Sequence, residues 1–130
     1  MIFIVEDDDI MAECLELAVR EGLARCKVEE CEAKIKNFTN AIEAMQAIDE
    51  VMPRLIFLDV LLDGPDGFTF LNELASYADT AQIPIVIISS LDLSKADLSI
   101  YGVVRILDKT KMKPEEIGMC VREFYGDENA

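Results

Sequence analysis

The chain repeats one pattern: a short apolar run, a polar turn, then a helical stretch. Ile2–Val5, Leu55–Leu58 and Ile85–Ile88 are unbroken apolar runs, and Ile35–Phe38 and Val103–Leu107 complete the series. Runs of this kind do not alternate, so they do not fit strands with one wet face. They fit strands covered on both faces by helices, as parallel sheets are. Between them, Ile10–Ala24, Asn40–Val51, Phe68–Ala78, Leu93–Tyr101 and Pro114–Tyr125 carry helical spacing. Asn40–Val51 places Ala41, Met45 and Ile48 on one face, and Phe68–Ala78 places Phe68, Leu71 and Ala75 in register. In the last stretch Ile117, Cys120, Val121 and Phe124 fall at i, i+3, i+4 and i+7, with Pro114 in the first turn. Leu93–Tyr101 has the poorest stripe, and Gly22–Lys34 is long for a helix-to-strand connection; its structure stays open.

Five strands alternating with five helices predict an α/β fold with a parallel sheet and right-handed crossovers. The expected architecture is flavodoxin-like: a five-stranded sheet in order 2-1-3-4-5 with five helices on both faces. At 130 residues the chain is read as a single domain over 1–130.

Composition removes several functions. There are 26 acidic residues against 12 basic ones, a net charge of −14, and no histidine. Nucleic-acid binding needs a basic stripe to displace counterions, and none is visible. Without histidine there is no His-based triad and no His-liganded zinc. The apolar runs are far below the roughly 18 residues of a membrane span. The chain opens on an apolar run without a basic leader, which points to a cytoplasmic protein. Cys14, Cys26, Cys31 and Cys120 contain no C-x-x-C pair. They are read as reduced thiols, Cys14 and Cys120 as small hydrophobes within helices.

The polar residues that matter follow the strands. Glu6, Asp7, Asp8 and Asp9 follow the first, and Asp59 closes the third. In an open α/β sheet, ligands bind beyond the carboxyl ends of the strands, where the strand order reverses. In the order 2-1-3-4-5 that point lies between strands 1 and 3, so Glu6 and Asp7 come beside Asp59. Clustered carboxylates repel unless a cation neutralises them, and hard oxygen ligands suit Mg²⁺. A carboxylate beside a metal is a candidate nucleophile toward a phosphoryl group. Helix capping is the competing explanation for the acids after strand 1, and Asp8 or Asp9 is assigned to it. Ser89 ends the fourth strand and Lys109 follows the fifth, on the same sheet edge. A hydroxyl can donate to a phosphoryl oxygen, and an ammonium can neutralise its charge.

With these residues in view, the sequence resembles the receiver domain of bacterial two-component response regulators, in a single-domain, chemotaxis-regulator-like form. The match runs from Ile2 to about Tyr125. Ile2-Phe-Ile-Val-Glu-Asp-Asp8 looks like the family's first strand and acidic pair. Leu55-Ile-Phe-Leu-Asp-Val-Leu-Leu-Asp-Gly-Pro-Asp-Gly67 is similar to its phosphoacceptor strand and loop. Ile83–Ser90 and Gly102–Lys109 resemble its fourth and fifth strands. The resemblance implies Asp59 as phosphoacceptor, Asp7 and Glu6 as Mg²⁺ ligands, and Leu61 as donor of a backbone carbonyl to the metal. It implies Ser89 as the switch hydroxyl, Lys109 as the phosphoryl counter-ion, and Asp66 and Gly67 as builders of the turn into the third helix.

Three positions depart from the family pattern. Asp63 and Thr110 stand where proline is usual, and Ile106 stands where an aromatic switch residue is frequent. Leu61 and Leu91 lie two residues after Asp59 and Ser89, where they would exclude water from the acyl phosphate. The expected function is therefore a switch that accepts a phosphoryl group from a partner phosphohistidine. The implied partners are a sensor histidine kinase or histidine phosphotransfer protein and a downstream protein target. Receivers dimerise through the face formed by the fourth helix, fifth strand and fifth helix, or stay monomeric, and the sequence leaves this open. The main alternative is a pseudo-receiver that binds partners without phosphorylation. An aspartyl phosphatase is disfavoured because Leu61 replaces the second aspartate that such enzymes place there. A flavodoxin is disfavoured because no phosphate loop follows the first strand. The chain is expected to be a single-domain regulator rather than a piece of a longer protein.

Overall fold

The computed structural model describes residues 1–25, 34–60, 67–90, 93 and 98–125. Five strands form one parallel sheet: β1 (Ile2–Val5), β2 (Ile35–Phe38), β3 (Leu55–Leu58), β4 (Ile85–Ser89) and β5 (Val103–Asp108), in the order β2-β1-β3-β4-β5. The helices are α1 (Asp9–Arg25), α2 (Ala41–Glu50), α3 (Gly67–Ala75) and α4 (Pro114–Phe124). Strand order and class match the sequence expectation.

The unbroken apolar runs are explained by two cores, one on each side of the sheet. Phe3, Val5, Ile56, Leu58, Ile85 and Ile87 pack against α2 and α3. Their chain neighbours Ile2, Ile4, Leu55, Phe57, Val86 and Ile88 pack against α1 and α4. Successive residues of a strand point to opposite faces, so a strand feeding two cores must be apolar at every position. The central strands β1, β3 and β4 are buried throughout. The edge strands β2 and β5 can carry Lys36, Asn37 and Arg105 because part of each faces water.

The helix count differs from expectation: four α-helices lie among the described residues, not five. Within the stretch expected as a helix at Leu93–Tyr101, the described residues are Leu93 and Leu98–Tyr101, of which Ser99–Tyr101 form a 3₁₀ turn. Leu98 is buried there. Part of Gly22–Lys34 is resolved in kind, since Gly22–Arg25 continue α1; residues 26–33, with Cys26 and Cys31, lie outside the described set. Helix α3 ends at Ala75 rather than Ala78. There the Thr80 hydroxyl donates to the Leu74 carbonyl at 2.5 Å, and a 3₁₀ turn, Thr80–Gln82, follows. Its buried stripe is Gly67, Phe70, Leu71 and Leu74, not Phe68, Leu71 and Ala75. The phase is set at Gly67, whose backbone is pressed against Val60 so closely that a Cβ would collide with it. Cys120 is buried as expected, whereas Cys14 is exposed, because α1 turns that face away from the sheet. Burial pushes the Cys120 thiol up to about 11, so it behaves as a small apolar group.

Helices α1 and α4 cross at a pair of glycines. A Cβ on Gly22 would lie 2.9 Å from Cα of Gly118 and 3.0 Å from Cβ of Val121. A Cβ on Gly118 would meet nothing nearer than 3.7 Å. The contact is therefore asymmetric. Gly22→Ala should lower the unfolding free energy by about 1–3 kcal/mol through overpacking. Gly118→Ala should be neutral, or stabilising by up to about 1 kcal/mol through helix propensity. Urea denaturation of both variants checks this, and equal effects would refute it.

Candidate functional site

The site forms where three strands end on one edge of the sheet. Val5 pairs with Leu58, which places Glu6 and Asp59, each one residue further on, beside each other. Two backbone bonds fix them there: Asp59 N–H donates to Val5 O at 3.0 Å, and Glu6 N–H donates to Phe38 O at 2.9 Å. Glu6 and Asp59 are buried and Asp7 is half-buried. Glu6, Asp7 and Asp59 each offer a carboxylate oxygen, all within 4.8 Å of one another.

Among the described residues, one cation enters this cluster. Lys109 Nζ lies 2.7 Å from Glu6 Oε1 and 2.9 Å from Asp59 Oδ2. Desolvation opposes the charge on Lys109, but its two carboxylate partners outweigh that and raise its pKa. Glu6 is pushed up to about 7. Burial is the main cause; Lys109 and the Asp8 N–H pull it back, and the charge of Asp59 raises it further. An ion pair ordinarily lowers a glutamate, so here desolvation wins over pairing. The short Lys109 contact to Glu6 Oε1 has ion-pair distance without hydrogen-bond direction, and that buried oxygen accepts no hydrogen bond.

The donor set fits a hard divalent cation. Three carboxyl groups of the described residues face one ammonium in a partly dry site, so the acids outnumber their counter-charge. Oxygen ligands, an under-satisfied buried carboxylate oxygen and an open side at Asp7 are what Mg²⁺ requires. The described cluster contains Glu6, Asp7 and Asp59. Leu61, expected to add its carbonyl, lies outside the described residues, as do Asp63, Asp66 and Leu91.

The remaining acids after β1 separate by role. Asp8 Oδ1 accepts from Ile10 N–H at 2.9 Å and Met11 N–H at 3.1 Å, capping α1. Ser89 is buried at the end of β4, opposite Asp108. Its carbonyl accepts from Lys109 N–H at 2.9 Å, which ties the lysine to the end of β4. Ile106 pairs across from Ile87 and is exposed, so no aromatic ring stands at that place on β5.

Sequence reasoning missed Asp108. Its Oδ1 accepts from Thr110 N–H at 2.9 Å and Thr110 Oγ1 at 2.7 Å, and its carbonyl accepts from Met112 N–H at 2.8 Å. This closed turn stands where the family usually has a proline after the lysine, and it holds the Lys109 backbone in place. The Asp-x-Thr pattern of an Asx turn was the available signal.

The chain is similar to known proteins in sequence and in structure. The family model "Response regulator receiver domain" matches residues 2–119. The response regulator Rre1 of Synechocystis sp. is 25% identical over 117 residues, covering 88% of this chain and 50% of Rre1. The chain spans at most half the length of the curated relatives it matches. A protein of Chloroflexus aurantiacus assigned as a response regulator has a similar structure, with TM-score 0.76 and 28% identity over 95% of this chain and 94% of that one. The receiver domain of the Pseudomonas aeruginosa sensor histidine kinase PA1611, solved with a magnesium ion in its active-site cleft, shares the fold at TM-score 0.76. It is 18% identical over 96% of both chains. Sheet order, acidic cluster and a family match over nearly the whole length converge: the chain belongs to the response regulator receiver family of two-component signalling.

Proposed function

We propose that this chain is a phosphoacceptor switch over residues 1–130. In this reading Asp59 takes a phosphoryl group from a phosphohistidine of a sensor histidine kinase or histidine phosphotransfer protein. The observation that carries it is the Lys109 ammonium held between Glu6 and Asp59, with Asp7 completing an acidic cluster open to a cation. Mg²⁺, held by Glu6, Asp7, Asp59 and the Leu61 carbonyl, would neutralise the incoming phosphoryl charge. An Asp59 carboxylate oxygen bonds to phosphorus as the phosphorus–nitrogen bond of the donor breaks. The bonding pair leaves on the imidazole nitrogen. Lys109 stands ready to exchange its carboxylate contact for a phosphoryl oxygen, and the Ser89 hydroxyl donates to another. Glu6 and Asp7 orient rather than react.

The new charge at Asp59 changes the pairing of Lys109 and Ser89, and both are tied to β5 and β4. The change would spread toward Leu93–Tyr101 and alter the face that binds a downstream protein target. A dimer through that face, with β5 and α4, belongs to the same reading, as does a cytoplasmic location. Catalysis is limited to the chain's own phosphorylation and dephosphorylation.

Amide NMR with Mg²⁺ and beryllofluoride should shift resonances around Asp59, Ser89 and Lys109, and Asp59→Asn should abolish the response. A flat spectrum would instead favour a scaffold that binds partners without phosphorylation. Lys109→Met should fold and cut phosphoryl incorporation from acetyl phosphate by about a hundredfold, the order seen when one charge-stabilising donor is lost. Intact-mass spectrometry reads this directly.

Leu61 and Leu91 give a further expectation. The acyl phosphate should decay slowly, and a Leu61→Asn, Leu91→Glu variant should lose it faster. Decay within seconds in the unmodified chain, or equal rates in the two, would refute it.

A further inference from the structure

A groove of about 540 Å³ runs between α2 and α3, on the side of the sheet away from α1 and α4. Its apolar lining includes Ile42, Met45, Met52 and Tyr77. Ile42 is 47% exposed, Met52 43% and Tyr77 58%. Large apolar side chains gathered at one exposed place mark binding surfaces more often than scattered ones do. Two of them are methionines, whose flexible thioethers adapt to varied partners.

Among the described residues lining the groove, the charged ones are all acidic: Asp49, Glu73 and Asp79. The groove also takes in the C-terminal turns of α2 and α3, where the helix dipoles are negative. Neither last turn carries a basic residue, and α2 ends on Asp49-Glu50. Acids at a helix C-terminus work against the dipole. The fold thus accumulates uncompensated negative potential around an apolar trough.

We propose that this groove docks a short segment of another protein that carries large apolar anchors flanked by Lys or Arg. The anchors fill the trough between Ile42, Met45, Met52 and Tyr77. The basic flanks meet Asp49, Glu73 and Asp79 and relieve the two helix ends. A second copy of this chain is a poor occupant, since its net charge of −14 would set like charges against the rim. An anionic membrane surface is repelled for the same reason. The acidic rim lies at the C-terminal turns of α2 and α3 and just beyond them, and none of Glu6, Asp7 and Asp59 lines the groove, so docking does not require phosphorylation.

The test uses the full chain and a short synthetic Leu/Lys amphipathic peptide, with a Leu/Glu peptide of the same pattern as control. Two-dimensional amide NMR at physiological salt should show shifts from the Leu/Lys peptide concentrated at α2, α3 and residues 77–80. The Leu/Glu peptide should leave the spectrum unchanged. Asp49→Lys/Glu73→Lys should weaken binding about tenfold, as should Tyr77→Ser, whereas Asp59→Asn should bind like the unmodified chain. All these positions are exposed apart from Asp59, and unchanged amides elsewhere would show that the variants fold. Shifts centred on Glu6, Asp7 and Asp59, or spread over every acidic surface, would overturn the proposal. So would equal binding of both peptides, no binding, or concentration-dependent shifts without peptide, which would mean self-association at this face.

Discussion

The parallel pairing of β1 with β3 is the contact on which the rest depends. It sets Val5 opposite Leu58, and so places Glu6 beside Asp59. Because both strands are buried on two faces, the pairing cannot slip. A one-residue shift would exchange every side chain between the two cores. Phe3 and Phe57 are both fully buried but on opposite sides of the sheet, and neither side has room for the other's set. The cores hold the register, and the register holds the carboxylates at a separation they would not choose alone.

That forced proximity gives the site its chemistry. Three carboxylates in a partly dry edge are costly, and one lysine offsets only part of the cost. The residue of that conflict is visible in Glu6, whose ionisation is held up to about 7 despite a lysine at 2.7 Å. In the proposed reading such a site gains by taking up a cation, and gains again when Lys109 moves to a new anion. The tension resides in the charges.

The strand ends and the helix ends of the molecule have different electrostatic characters. At the strand ends, acidic side chains and a lysine meet in a specific, partly buried cluster. At the ends of α2 and α3, acids and helix dipoles add up in an exposed, apolar trough. The first has the donor set of a small-ion site. The second suits a larger, softer partner recognised by area and sign of charge.

Sequence alone determined most of the frame. Unbroken apolar runs at Ile2–Val5, Leu55–Leu58 and Ile85–Ile88 signalled strands buried on both faces, because no other placement satisfies them. Acids and Lys109 just beyond strand ends signalled the site, because a parallel sheet brings those ends together. The helical stretch expected from Asn40 starts there, where the Asn40 side chain accepts from Glu43 N–H at 2.9 Å and caps α2. Tertiary structure decided what depends on distant contacts. The phase of α3 follows from Gly67 lying against Val60, and the exposure of Cys14 follows from which face α1 turns to the sheet. The Lys109 bridge and the groove between α2 and α3 likewise required three-dimensional placement. Periodicity reports which residues avoid water, but only packing says which neighbour excludes it.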